Sequence, residues 1–407
     1  MKQNNIKIDL PGINKADYSF TPNKENNSIV YGLFAISGIN SQIANDIIAN
    51  RPYISLNDFL DKVRLTKSQI INLIKAGAFD DIEKRTREEI INDYIKSTLP
   101  IKSKLTSVNL LSLIEKGITK CGCLEDSCKY CLQARFIKFR KNIFNKEFKY
   151  KVENSKKDYY KLDHISEPFF EEHFMDHLKE DKHYFYNEVG ELIVDKTSFD
   201  KVFKILIKDT LEWLLEPLTI KAYNNSLINE ELHRTKSDLE ISEMEMQSLN
   251  YYYTKHYLDG IDLSQYGVRS FFDLDEEPTL LSEKITKSGR VFRSYETCRL
   301  AGTIVQVDKN KHIIYLSTID GVVGVKFRNK GSFIHYTKQI SQIQEDGTKK
   351  VIEKPWLSRH NHVMVSGYRY GDIFYISKYQ DMEHTVSKII GKKDNKLIIQ
   401  TERINID

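Results

Sequence analysis

Between Ile29 and Asp80 the apolar residues fall into short blocks at helical spacing, separated by polar turns. Ile43, Ile47 and Ile48 follow the turn Ser37-Gly38-Ile39-Asn40 at the intervals of one helix face. Ser55 followed by Asp58, and Thr66 followed by Gln69, have the spacing of capping boxes, each ahead of an apolar run. Gly77 stands where a helix would end on a left-handed residue. The pattern predicts four short helices joined in pairs by tight turns, which is two consecutive helix-hairpin-helix units. From Arg299 onward the period drops to that of strands. RLAGTIVQV, HIIYLST, GVVGVKF, HVMVSGY and IFYIS are short β-rich runs bounded by turn clusters such as Asp308-Lys309-Asn310 and Tyr370-Gly371-Asp372. Five strands, with a polar and helical insertion at 330–361 between the third and fourth, predict an OB-type barrel.

The expected architecture is α+β and multidomain. An extended, polar lead-in at 1–28 precedes the tandem hairpin domain at 29–100. A cysteine cluster and a basic, aromatic segment occupy 101–161, and a mostly helical linker domain follows at 162–290. The OB barrel takes 291–380, and a small hairpin tail around Lys393-Asp394-Asn395 takes 381–407.

Composition narrows the function classes. With 407 residues, 40% hydrophobic and 29% charged, the chain is long enough for several domains with sizeable cores. Its 61 basic residues face 57 acidic ones, a net charge of +4, so any nucleic-acid surface must be local. No run approaches the roughly 18 apolar residues of a membrane span. The polar start MKQNNIKID is unlike a signal peptide. The expectation is a cytoplasmic protein without membrane contact, its five cysteines reduced.

Three stretches carry chemistry. At the first hairpin, Gly38, Ile39, Asn40 and Ser41 would bring backbone close to a phosphate, with the helix N-terminus behind it supplying N–H donors and partial positive charge. Thr66 and Lys67 occupy the same place in the second hairpin. Such contacts hold a duplex without reading its bases; the alternative is a small helical packing module. Next, Cys121, Cys123, Cys128 and Cys131 lie within CGCLEDSCKYC. A CxxC knuckle is the usual half of a tetrahedral thiolate site, so structural zinc is expected. An iron–sulfur cluster, a redox pair and chance clustering remain alternatives. Third, Arg135, Lys138, Arg140 and Lys141 alternate with Phe136, Phe139, Phe144 and Phe148. Either cations meet phosphates while rings stack on bases, or the rings are core and the cations a solvated face. His173, His177 and His183 lack the HExxH arrangement and read as surface residues.

The chain resembles the alpha subunit of bacterial DNA polymerase III, the family C replicative polymerase. The residues that carry the likeness are Leu10 to Phe20, Tyr31-Gly32-Leu33, Ala35 to Ile39, Arg51-Pro52-Tyr53, Ser55 to Phe59 and Leu73 to Asp80. It returns at Glu243-Met244-Glu245 with Tyr253 to Asp259, where Tyr257 replaces a proline, and across the barrel runs. Asn40 stands where the family has a second glycine. The resemblance implies a tandem hairpin gripping duplex DNA and a barrel near the single-stranded template. In that barrel Lys326, Phe327, Arg328, Trp356, Arg369 and Tyr370 would stack on bases and neutralise phosphates. Gln265 to Phe272 has the look of a sliding-clamp peptide, with Phe pairs as common in cores. No paired-aspartate strand of a polymerase palm is found, since Asp273 and Asp275 sit in an acidic loop. The expectation is therefore a non-catalytic portion of a split polymerase. A partner polypeptide would supply palm, fingers and Mg²⁺; a stand-alone DNA-binding accessory protein is the alternative.

Overall fold

The computed structural model describes residues 6–404 apart from 119, 121–127, 154, 290, 344–348 and 381–383. The chain divides into two compact units. One joins Met1–Ile91 with Asp238–Asp407, and the other is Asn92–Ser237. The six expected segments therefore merge: hairpins and barrel share a unit, and the expected linker domain is cut at Ser237.

The first unit begins with β1 (Lys7–Asp9), β2 (Thr21–Asn23) and β3 (Ser28–Val30), with β3 between the other two. The lead-in is pinned down rather than merely extended. Asn14 exchanges two hydrogen bonds with the Tyr53 backbone, at 2.7 and 2.8 Å, and Ile13 and Ala16 are buried. A single 3-10 turn, Leu33–Ala35, stands where the first hairpin helix was expected. Then come α1 (Ser41–Ala49), α2 (Leu56–Lys62), α3 (Lys67–Lys75) and α4 (Arg87–Thr98). Thr66 and Gln69 form a reciprocal capping box. Ser55 accepts from the Asp58 N–H, but Asp58 reaches Ile54 instead of closing the box. α3 ends with Gly77 at φ +76°. The Gly77 N–H donates to the Ile74 carbonyl and the Ala78 N–H to that of Leu73, each at 3.0 Å, which is a Schellman ending. A Cβ on Gly77 would collide with the Arg87 guanidinium, so the position requires glycine twice over.

The second unit holds α5 (Ser107–Glu115), α6 (Lys129–Ile143) and a four-stranded antiparallel sheet. Its strands are β4 (Lys149–Tyr150), β5 (Tyr159–Lys161), β6 (Tyr184–Tyr186) and β7 (Leu192–Asp195), in the order β4-β5-β7-β6. The helices α7 (Glu167–His173), α8 (Lys196–Leu206), α9 (Lys208–Leu214) and α10 (Pro217–Thr235) complete it. The core is built on phenylalanine: the Phe174 ring lies 5.4 Å from Phe139 and 4.8 Å from Phe199.

The first unit resumes with α11 (Ile241–Leu249) and a ribbon, β8 (Leu280–Ile285) and β9 (Val291–Tyr295). The barrel strands are β10 (Cys298–Asp308), β11 (Ile313–Ser317) and β12 (Val322–Lys326). After α12 (Lys330–Thr337) and the hairpin β13 (Ile340–Ile343) and β14 (Lys349–Glu353) come β15 (His362–Tyr370) and β16 (Ile373–Ile376). The order β10-β11-β12-β16-β15 closes back on β10, with β12–β16 as its parallel pair. These are the five expected strands, and the closed barrel is of OB type. The expected tail hairpin is β17 (Val386–Lys393) and β18 (Lys396–Gln400), which continues the sheet from β15.

α11 joins hairpins and barrel. Ser242, Met244, Glu245, Met246, Ser248 and Leu249 are all buried. Towards the hairpins, the Ser248 carbonyl accepts from the Ser37 N–H at 2.8 Å and the Leu249 carbonyl from the Tyr31 hydroxyl at 2.5 Å. Towards the barrel, Met246 packs in one cluster with Ala301, Met364 and Ile389. The Arg87 guanidinium, 7% exposed, donates to Asp80 at 2.6 Å and to the Lys75 carbonyl at 3.0 Å. It also lies 3.5 Å from Glu245, whose side chain is fully buried. The other Glu245 oxygen accepts from the Tyr253 and Thr254 N–H groups at 3.0 and 2.9 Å.

Arg87→Ala strands a buried carboxylate and should lower unfolding stability by about 3 kcal/mol. A urea denaturation midpoint that hardly moves would refute that role. Burial also pushes the Tyr31 and Tyr257 hydroxyls up to about 12. The folded state thus keeps these protons while the unfolded chain, with ordinary tyrosines near pH 10, releases them, so stability falls as pH rises from 10 towards 12. Tyr31→Phe should be less stable than wild type at pH 8. The gap should narrow by on the order of 1 kcal/mol at pH 11; a constant gap across paired urea melts would contradict it.

Candidate nucleic-acid interface

The first hairpin presents its backbone outward. Gly38 is exposed at φ +83°, where an L side chain would be strained. Ile39 is the buried anchor of the turn, its N–H donating to the Ile36 carbonyl at 3.1 Å. Asn40 caps α1 by accepting from the Ile43 N–H at 3.0 Å, and Ser41 begins the helix at an exposed position. Asn40 caps at φ −96°, so the family's second glycine is dispensable here: the left-handed residue is Gly38 alone. The second hairpin also leads into a capped helix, but its bend has no left-handed residue. Thr66 is its exposed cap and Lys67 the half-buried first residue of α3.

Side chains lock the two bends together. Gln69 accepts from the Thr66 N–H through Oε1 at 2.9 Å and donates through Nε2 to the Gly38 carbonyl at 3.2 Å. Asn72 donates to the Ser37 carbonyl at 2.8 Å. The N-termini of α1 and α3 are thereby held side by side, and neither has an acidic residue in its first turn. Their partial positive charges add with nothing nearby on the helices to cancel them. Sequence reasoning used Gln69 only as half of a capping box and missed Asn72.

The barrel corrects part of the expected strand-binding set. Phe327 and Trp356 are 2% and 0% exposed, so neither ring can stack on a base. Trp356 donates its indole N–H to Glu353, which also pairs with Arg403 at 2.9 Å. Arg369 is spent on the Gly371 and Leu274 carbonyls, at 2.9 and 2.7 Å, and on Glu276 at 3.3 Å. Arg328 and Tyr370 do lie on the surface, and Lys326 is half exposed. Arg328 sits 4.5 Å above the ring of Tyr375 and 5.4 Å from that of Tyr368. Lys326 is the direct cross-strand neighbour of Tyr375, and Tyr370 lies 6.5 Å from it. The outward strip is therefore Lys326, Arg328, Tyr370 and Tyr375; Tyr375 was hidden in an apolar run.

In α6 the phenylalanines are core: Phe136 and Phe139 are buried, while Lys138 and Lys141 are exposed. Arg140 is bound to Asp200 at 2.6 Å and Arg135 lies over the Phe169 ring. The stacking half of the expectation for this segment is corrected; a cationic helix face remains. Cys121 and Cys123 lie outside the described residues. Cys128 caps α6 and Cys131 stands one turn on, so both fall on the same helix face. Among the described residues no group of three or more potential ligands forms a metal site. His173 packs against the rings of Phe136 and Phe169. Phe271 of the supposed clamp peptide is buried in the barrel core, which removes its anchor. Among the described residues no helix is long and apolar enough to cross a membrane.

Paired helix-hairpin-helix bends joined through one helix to a closed OB-type barrel define the architecture of the first unit. Comparison with known proteins gives the particular relationship. Residues 5–89 match the family described as a helix-hairpin-helix motif. The whole chain is 35% identical over 413 aligned residues to a probable DNA polymerase of Bacillus subtilis (strain 168) and to a DNA-directed DNA polymerase of Bacillus phage SPbeta. It spans 30% of the length of each, their C-terminal part. DNA polymerase III alpha subunits of Campylobacter jejuni and Aquifex aeolicus are 35% and 38% identical over 20% and 19% of this chain, and over 7% of their own length. The resemblance to the polymerase III alpha subunit read from the sequence thus holds, and the chain is similar to part of these DNA polymerases.

Proposed function

We propose that this chain holds DNA for a phage-type family C polymerase, as a separate C-terminal portion whose palm and fingers reside on a partner polypeptide. The observation that carries this reading is the pair of outward helix N-termini at Gly38–Ser41 and Thr66–Lys67, tied by Gln69 and free of acidic residues in their first turns. Their amides would take successive phosphates of the primer–template duplex. The Arg328–Tyr375 strip would take the unpaired template by stacking and charge. Mg²⁺ and bond formation would belong to the partner, in the cytoplasm. Exposed Lys138 and Lys141 would add a further cationic contact.

Binding of a labelled primer–template should weaken with salt by a slope of about 0.9 in logarithmic units per phosphate engaged. Gly38→Val should weaken it by about tenfold, since a branched side chain blocks close backbone approach. Gly117→Val, which imposes the same left-handed strain at an exposed turn with open space around it, should leave binding unchanged. Wild-type binding that ignores salt, or that survives Gly38→Val intact, would overturn the hairpin reading. The purified chain alone should extend no primer; robust extension would overturn the division of labour.

We further propose that Cys121, Cys123, Cys128 and Cys131 hold one structural Zn²⁺. The i, i+3 placement of Cys128 and Cys131 at the start of α6 supports this, because it turns two thiols to one side. Elemental analysis of chain purified without chelator should give one zinc per chain, falling in Cys128→Ser. Metal-free protein with unchanged folding would refute it.

A further inference from the structure

The ribbon β8–β9 belongs to no core. Every residue of β8 is exposed, as is β9 up to Tyr295, and the two strands pair only with each other. An isolated two-stranded ribbon is marginal in water, so burial within this chain does not explain it. Direct pairing sorts its residues. Lys284 opposes Phe292 and Ser282 opposes Ser294 on one face; Glu283 opposes Arg293 and Ile285 opposes Val291 on the other. Arg293 is engaged by Glu283 at 2.7 Å. Phe292 is 60% exposed, and Lys284 and Lys287 have no ion-pair partner among the described residues. One face thus offers an open aromatic ring, an ammonium and two hydroxyls, with no carboxylate. That set suits a nucleic-acid strand better than a protein surface, since the ring can stack on a base and the lysines meet phosphates.

The ribbon also starts from the proposed strand path. At its base the Tyr295 ring lies 4.7 Å from Tyr368, which neighbours Tyr375 at 6.1 Å and lies beneath Arg328. From there six residues of strand reach about 20 Å. We infer that the Phe292 face of this ribbon is a second contact for single-stranded DNA, continuing the path from the barrel strip. The inference rests on the reading of that strip as a single-strand site.

The test is fluorescence anisotropy of the full chain with two oligothymidylates. One has about 6 nucleotides, within the site of a single barrel, and the other about 20. Wild type should bind the longer one more tightly. Phe292→Ala should weaken that binding about tenfold and leave the shorter one unchanged. Lys284→Ala with Lys287→Ala should reduce the salt slope on the longer one by about 0.7 per lysine. Arg328→Ala should weaken both. If Phe292→Ala and the lysine pair both bind like wild type, the ribbon inference is overturned while the barrel reading stands. If wild type binds neither oligonucleotide, the barrel reading fails and the inference with it.

Discussion

A fully buried carboxylate, Glu245, fixes this fold. An unpaired charge in such a place would be prohibitive. It is tolerated because Tyr253 and Thr254 donate to one oxygen while the Arg87 guanidinium faces the other. Arg87 in turn holds Asp80 and the last carbonyl of α3, and with the left-handed φ at Gly77 it leaves no room there for a side chain. One cation therefore sets the end of the second hairpin, the loop beyond it and the seat of α11. Removing either partner of such a buried pair leaves an uncompensated charge, so the two groups hold each other in place.

The same seat aims the candidate interface. α11 offers the Ser248 carbonyl to the Ser37 N–H, directly before the Gly38 bend. The bend is thus held from inside by α11 and from its flank by Gln69 and Asn72, while Ser41 and Gln42 at the start of α1 stay exposed. Across α11, Asn250 meets His360 at 3.0 Å, and Tyr257 stacks on His362 at 3.7 Å. Hairpins and barrel are consequently parts of one body, although the residues that join them are up to 218 positions apart. The turn in which Tyr257 replaces proline gains from that ring, which packs against histidine and lies under the Lys392 ammonium.

Barrel strands and hairpin caps were legible because each has a strong local cause. Alternating β-branched residues mark strands, and a hydroxyl or amide three residues ahead of its partner marks a cap. The second unit's sheet was not legible, since strands of two to four residues are too short to show a period. Site residues failed for a different reason. Phe327 follows Lys326 directly, so the pleat turns one inward and the other outward; ring-and-cation composition cannot say which is which. In α6 the rings recur three apart, the spacing of a buried stripe, and the cations between them are what a solvated face requires. Tyr375 escaped because its three strand-mates are all apolar or aromatic and the run read as core.

The second unit enters the chain between the two halves of the Arg87–Glu245 contact. The first unit gives up the chain after Ile91 and resumes it at Asp238, a few residues from each partner. Closing a long excursion costs little more than closing a short one, because loop entropy grows only logarithmically with length. The excursion here has a core of its own, so it need not draw on the first unit's packing. Such an arrangement lets the chain carry an additional unit at this point while the Arg87–Glu245 contact closes behind it. The Bacillus and phage polymerases align along the whole chain, and the Campylobacter and Aquifex subunits with about a fifth of it. The first unit thus answers to the geometry that Arg87 imposes, and the middle unit to its own phenylalanine core.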